Sequence, residues 1–264
     1  MPIKMIAIDM DDTLLNDDKK ISAENAAAIR QATRAGILVL LATGRMYESV
    51  LPYALQLHMN VPLICYNGAL VKGSTDKKIL FERTMDSKIS QSIFQFGREI
   101  GLHMQGYWNG QVYTDYLNDS SRWYSKMINI PVQPIGSKLY TEPHQTYKIL
   151  GMAEPDAFIS QWQALQKKFQ GQTEITTSIK NFLEILIPGI DKWSAIANLA
   201  AESKISQEEI MCIGDSLNDL SMITNAGTGV AMGNANPEVQ KHATWTVADN
   251  NHNGVAEAIK KALN

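Results

Sequence analysis

Residues 6–15 read IAIDMDDTLL: an apolar run that stops on Asp9, then Met10, Asp11, Asp12 and Thr13, then two leucines. Continuous rather than alternating apolar residues describe a strand buried on both faces, as in parallel sheets covered by helices. Working outward, the same pattern recurs. KMIAI runs into Asp9, ILVLLA into Thr43, LICY into Asn67 and MCIG into Asp215. Ser22 is placed to cap a helix over AENAAAIRQATRA, with Gly36 at its end. A second helix is expected from Tyr47 to Leu57, where Pro52 either weakens it or marks its first turn. Strand–helix alternation of this kind predicts a parallel α/β sheet. Ligands of such sheets bind beyond the carboxyl ends of the strands, so the polar residues that end these four runs are expected to converge.

Between about Phe81 and Pro188 the pattern changes. Asp86 can cap a helix over SKISQSIFQFGREI that Gly101 stops. LHMQGYW, Asn109-Gly110 and QVYTD read as a hairpin with the favoured two-residue turn. A helix follows near Ser120 to Met127, then a proline-punctuated loop (IPVQPIG, TEPH), then TYKILGMA as a strand. Pro155 and Asp156 open an amphipathic helix to about Phe169, and TEITTS and NFLEILI supply two more strands. This stretch is expected to form helices on one face of an antiparallel sheet, a separate α+β unit. After Pro188 the first style resumes, with a helix over Lys192 to Glu202, a one-turn cap at Ser206-x-x-Glu209, short strands TGVAMG and TWTV, and a terminal helix GVAEAIKKAL.

A formal net charge of −3, without a basic block, argues against a nucleic-acid partner. No run reaches transmembrane length, and MPIKMIAID turns acidic too early for a signal peptide, so no membrane association and a cytoplasmic location are expected. Cys65 and Cys212 each sit in an apolar run and read as buried thiols. The sequon Asn118-Asp119-Ser120 has no meaning without secretion. The five histidines lack metal-ligand spacing. Gly227-Thr228-Gly229 has neither the spacing nor the helix start of a dinucleotide loop.

The two carboxylates of Asp9-Met10-Asp11 would lie on one side of an extended segment, where they repel unless a cation or proton lies between them. Taken alone, a solvated acidic turn or an Asp-rich loop end is the commoner source of such a pair. Gly214-Asp215-Ser216-Leu217-Asn218-Asp219 adds two carboxylates at another strand end. Hard oxygen donors suit Mg²⁺, although a helix N-cap would account for Asp219 alone. Ala42-Thr43-Gly44-Arg45 joins a small hydroxyl residue to a glycine, which lets backbone N–H groups approach an anion. Lys192 opens a helix, where a lysine is unfavourable by dipole unless an anion is near.

In this order D-x-D-x-T, T-G-R, a lone lysine and G-D-x-x-N-D resemble the haloacid dehalogenase-like phosphatases. The likeness is greatest to their Cof-type branch, through IAIDMDDTLL, LLATGR, CYNGAL, FLEILIPGIDKWSAI and IGDSLNDLSM. Asp12 departs from the glycine common there. The resemblance implies an α/β fold: a Rossmann-like parallel-sheet core of residues 1–83 and 189–264, carrying catalysis, and an inserted α+β cap domain of residues 84–188, setting substrate specificity. It implies that Asp9 attacks phosphorus and that Asp11 serves as acid and then base. Mg²⁺ would be held by Asp9, the Asp11 carbonyl and Asp215, with Asp219 orienting its water. The Met10 N–H, Thr43, Gly44, Lys192 and Asn218 would bind the phosphoryl oxygens. Arg45, Asn67 and Glu184 are candidates for substrate or hinge contact, Glu184 equally for an exposed structural carboxylate. Tyr107, Trp108, Tyr113 and Tyr116 suit hairpin packing better than a sugar-binding face. The expected partner is a small phosphorylated metabolite, the expected assembly a monomer or weak homo-oligomer. A phosphomutase of the phosphomannomutase type and a non-enzymatic sensor are the rival readings. Intact catalytic positions argue against the sensor.

Overall fold

The computed structural model describes residues 2–58, 60–177 and 181–263. Fourteen strands are named here in chain order: β1 Met5–Asp9, β2 Leu38–Ala42, β3 Pro62–Cys65, β4 Leu70–Gly73, β5 Ile79–Glu82, β6 His103–Trp108, β7 Gln111–Thr114, β8 Val132–Pro134, β9 Ile149–Met152, β10 Glu174–Thr176, β11 Phe182–Leu186, β12 Ile210–Gly214, β13 Thr228–Ala231 and β14 Trp245–Thr246. Ser178, the last residue of the expected strand TEITTS, lies outside the described residues. The chain forms two compact units, one of residues 1–81 with 191–264 and one of residues 82–190.

The first unit holds an eight-stranded sheet in the order β14-β13-β12-β1-β2-β3-β4-β5. From β14 to β3 neighbouring strands are parallel, and β4 returns antiparallel to β3. The four strands read as apolar runs are those at the centre. Met5, Ile6, Ala7 and Ile8 are fully buried, as are Met211, Cys212 and Ile213. The chain leaves β1 toward β2 and β3 on one side and returns through β12, β13 and β14 on the other. The β1/β12 boundary is therefore the point where strand order reverses, the place where open α/β sheets form a ligand crevice. Asp9 is in register with Ala42, which puts the residues after β1 and β2 side by side. Helices cover the sheet. Ala23–Arg34 is capped by Ser22 as expected and packs on the terminal helix Gly254–Leu263, where the Asn25 side chain accepts from Ala256 N–H. Pro52 proves to lie inside the helix Tyr47–Gln56 rather than in its first turn. Gly229 belongs to packing: a Cβ there would stand 2.1 Å from the Ile223 carbonyl oxygen.

The second unit holds a six-stranded sheet, β10-β11-β9-β6-β7-β8. Asn109 and Gly110 both take left-handed φ (51° and 69°) in the β6–β7 hairpin, the type I′ geometry that matches strand twist. The expectation of a wholly antiparallel sheet is corrected here, because the proline-punctuated loop contains β8, paired parallel to β7. Pro134 is tolerated because β8 is an edge strand. The amphipathic helix begins at Phe158, later than Pro155. Of the hairpin aromatics, Tyr107 is buried with its hydroxyl on Tyr124, and Trp108 stacks between Tyr113 and His144.

Candidate active site

Asp9 ends β1 nearly buried, and Met10–Leu14 then wind through one wide turn closed by Leu15 N–H on the Met10 carbonyl (2.8 Å). Asp11 stays extended (φ −71°, ψ 129°), while Asp12 is left-handed (φ 57°), which explains why a glycine suits that position. Aspartate is among the residues that tolerate this region. Thr13 Oγ1 donates to Asp215 Oδ1 at 2.6 Å, tying the turn to the end of β12.

Lys192 sits at the centre. Asp191 caps its helix, Lys192–Glu202, by a reciprocal bond with Ser194, which aims the first helical side chain inward. The lysine is fully buried, with Nζ 2.5 Å from Asp9 Oδ1 and 2.6 Å from Asp219 Oδ1. Asp219 Oδ2 accepts the N–H groups of Asp215 and Ser216, both at 3.0 Å. Asp219 thus braces the Asp215 loop with one oxygen and the lysine with the other. Oxygens of Asp9, Asp215 and Asp219 all lie within 4.8 Å of one another.

Three buried carboxylates face one ammonium, and their acidities follow. Burial, then Asp219 and Asp215, push the Asp9 carboxyl well above its ordinary range against the pull of Lys192. Burial and Asp219 push Asp215 up to about 7, although the Thr13 hydroxyl opposes them. Burial alone would lower Lys192, but Asp219 and Asp9 outweigh it and keep the ammonium charged. The cluster carries more negative charge than its lysine offsets. A divalent cation is the group that would relieve this, and an all-oxygen donor set fits a hard one. The triad can therefore hold a metal ion.

Asp11 has separate company. Arg45 forks onto it, Nε to Oδ2 at 2.6 Å and Nη2 to Oδ1 at 2.5 Å. Lys19 lies 2.9 Å from Asp12 Oδ1 and 3.7 Å from Asp11 Oδ1. Burial raises the Asp11 carboxyl, but the Arg45 bonds and charge outweigh it and hold it below the ordinary range. The turn Tyr66-Asn67-Gly68 also reaches the site, with three successive positive φ values (51°, 54° and 110°). A left-handed tyrosine is costly, and such strain concentrates at functional sites. Gly68 is obligatory, since a Cβ would lie 2.3 Å from the Asp191 carbonyl oxygen. The turn presents Asn67 Oδ1 to Asn218 Nδ2 (3.0 Å), while Thr43 Oγ1 accepts Arg45 N–H (3.1 Å).

Asp9, Met10, Asp11, Thr43, Gly44, Arg45, Asn67, Lys192, Asp215, Asn218 and Asp219 thus all lie at the carboxyl edge of one sheet. Glu184 belongs to the other unit. It is not the exposed strand carboxylate anticipated as one option, but is buried beside Lys148, 3.3 Å away. Sequence reasoning gave no role to Thr13, although its place in D-x-D-x-T was a signal. Lys19 and Asp191 carried none.

A parallel α/β sheet ending in a buried aspartate triad, with a lysine between two of its members, defines a hydrolase core with a cap-sized insertion. The chain belongs to the haloacid dehalogenase-like hydrolases, whose family pattern it matches over residues 6–259. It is 33% identical to the 5-amino-6-(5-phospho-D-ribitylamino)uracil phosphatase YcsE of Bacillus subtilis, over 98% of this chain and 95% of that one. It is 26% identical to the pyridoxal phosphate phosphatase YbhA of Escherichia coli, over the whole of both. Among solved structures, a haloacid dehalogenase-like hydrolase from Bacteroides thetaiotaomicron superposes with a TM-score of 0.90 at 29% identity, covering 98% of this chain and 99% of that chain. Among the described residues no helix is long and apolar enough to cross a membrane.

Proposed function

We propose that this haloacid dehalogenase-like phosphatase hydrolyses small sugar or polyol phosphates with Mg²⁺ as cofactor, through a phosphorylated Asp9. The observation that carries the reading is Lys192 Nζ lying between Asp9 and Asp219 with Asp215 alongside. Asp9, the Asp11 carbonyl and Asp215 would hold the ion, with Asp219 behind them. When bound, Mg²⁺ supplies positive charge that lets a phosphate dianion approach these carboxylates. The Asp9 carboxylate attacks phosphorus as the bond to the leaving oxygen breaks, and Asp11 gives that oxygen its proton. Asp11 then takes a proton from the water that attacks the phosphorus of the aspartyl-phosphate, and Asp9 is freed. The Met10 N–H, Thr43, Gly44, Lys192 and Asn218 hold the phosphoryl oxygens.

Residues 84–188 are assigned substrate choice. Supporting this, the unit buries the Lys148–Glu184 pair, with Lys148 Nζ 5.1 Å from the Tyr107 ring centre. A buried ion pair rarely adds net stability, so the pair is taken to serve that choice. The name of the YcsE enzyme places its phosphate on a ribityl chain, which favours polyol-like leaving groups for this chain also. The test is inorganic phosphate released from a panel of hexose, pentose and polyol phosphates. Turnover is expected on several of them, silenced by EDTA and restored by Mg²⁺. Turnover that survives EDTA would sink the metal assignment, and a panel silent except for non-sugar phosphates would sink the substrate class.

Arg45 gives a second test. Its fork occupies both Asp11 oxygens and holds the carboxyl ionised, so Asp11 must release one bond to carry a proton. In Arg45→Leu the Asp11 pKa rises and the group keeps its proton to higher pH. The alkaline limb of kcat/KM is therefore expected to move upward in pH. Superimposable profiles for the two proteins would remove Asp11 as the acid that Arg45 holds.

A further inference from the structure

One loop touches both acidic clusters. After β13, Met232 N–H donates to the Gly214 carbonyl (3.1 Å) and Asn236 N–H to the Asp215 carbonyl (2.8 Å), so residues 232–236 follow the end of β12. Between these two bonds the loop projects Asn234. Its Nδ2 donates to the Asp12 carbonyl at 2.8 Å, and its Oδ1 accepts Asn250 N–H at 3.1 Å. Asn250 is buried and donates through Nδ2 to the Leu15 carbonyl (3.1 Å) and to Asp17 Oδ1 (3.2 Å). Both ends of the Asn234 amide are therefore committed, one to the catalytic turn and one to a residue that grips the same turn further on.

The Asp12 carbonyl is a sensitive place to hold. Asp12 is the left-handed residue of the turn, flanked by the extended Asp11 and by Thr13. The residue before it is Asp11, whose carbonyl is assigned to the metal, and the residue after it is Thr13, whose hydroxyl reaches Asp215. If the Asp12 peptide swings, both move. We propose that Asn234 is a positioning residue that sets the spacing between the Asp9–Thr13 turn and Asp215, and through it the affinity of the core for Mg²⁺. It does this through the Asp12 carbonyl and does not touch the ion. The inference rests on the Mg²⁺ reading above.

Asn234 lies at the surface, so Asn234→Ala removes the tie without opening the core. Melting temperature is followed as Mg²⁺ is titrated into the wild type, Asn234→Ala and Asn236→Ala. The last removes an N-cap from the same loop, the bond from Glu238 N–H to Asn236 Oδ1, and leaves Asp12 alone. Asn234→Ala is expected to need about ten-fold more Mg²⁺ to reach half of its melting shift, as when partners of metal-holding groups are lost. Its KM is expected to be unchanged and its kcat to recover at high Mg²⁺. Asn236→Ala is expected to melt lower with an unmoved Mg²⁺ midpoint. A wild-type midpoint in Asn234→Ala overturns the inference, as does an equal displacement in Asn236→Ala. A wild type whose melting ignores Mg²⁺ overturns the metal reading, and the inference with it.

Discussion

Asp9→Asn is expected to abolish turnover, by ~10⁴-fold or more, and at the same time to melt higher than the wild type in EDTA at neutral pH. The loss of activity follows from replacing a carboxylate nucleophile by an amide of the same shape. The gain in stability follows from the cluster. Burial, Asp219 and Asp215 raise the Asp9 pKa in the folded chain above its value in the unfolded one, and Lys192 does not cancel them. For a carboxyl raised in this way, the folded state is penalised for ionisation. The penalty is absent below the unfolded pKa, grows as pH rises toward the folded pKa, and is complete above it. At neutral pH the asparagine escapes it, so the variant should gain a few degrees, at about 2–4 °C per kcal/mol for a chain of this size. Mg²⁺ should raise the melting temperature of the wild type and not that of the variant. Turnover near the wild-type rate would end the nucleophile assignment. A variant less stable than the wild type in EDTA would show that the Lys192 pair, and not the repulsion, dominates the site. The residue on which chemistry depends is then one the fold would be more stable without, a familiar tension at active sites.

Much of this arrangement was legible in the chain because burial writes itself as composition. The central strands are buried on both sides, so KMIAI, ILVLLA, LICY and MCIG stand out without periodicity, and the rule that ligands gather at their carboxyl ends brings Asp9, Thr43, Asn67 and Asp215 together. What was hidden depends on distant pairing or on backbone angles. β8 is three residues that follow Pro131 and end on Pro134, and it pairs with the open edge that β7 offers. β4 was missed because the turn before it uses a left-handed tyrosine, which no turn rule predicts. Arg45 followed a threonine and a glycine and so looked like part of an anion cradle. Its fork onto Asp11 joins positions 34 residues apart and has no local signature. Glu184 could be read as exposed or functional from its strand alone, and only the register of β9 and β11 brings Lys148 to it.

Lys192→Met is expected to cost both stability and turnover, and the two losses should separate by pH and by metal. The lysine is fully buried, and methionine fills a similar length without charge. Asp9 and Asp219 would then face each other and Asp215 with no cation among them. Removing one member of a buried ion pair costs about 3–5 kcal/mol. The melting temperature should fall by on the order of 10 °C at neutral pH. The fall should shrink as pH is lowered, because protonating Asp9, whose carboxyl burial already raises, removes one of the charges left unpaired, and it should shrink again when Mg²⁺ is added. Turnover, measured well below the variant's melting temperature, should be down by about 10²–10³-fold even at saturating Mg²⁺, since a fixed positive charge near the phosphoryl oxygens is gone. Lys192→Arg should not restore it, because a planar guanidinium cannot occupy a slot that holds Nζ at 2.5 and 2.6 Å from two carboxylates with no solvent opening. A Lys192→Met protein that melts like the wild type at neutral pH would mean that the lysine offsets no buried negative charge, and the charge excess that calls for a divalent cation would be overturned with it.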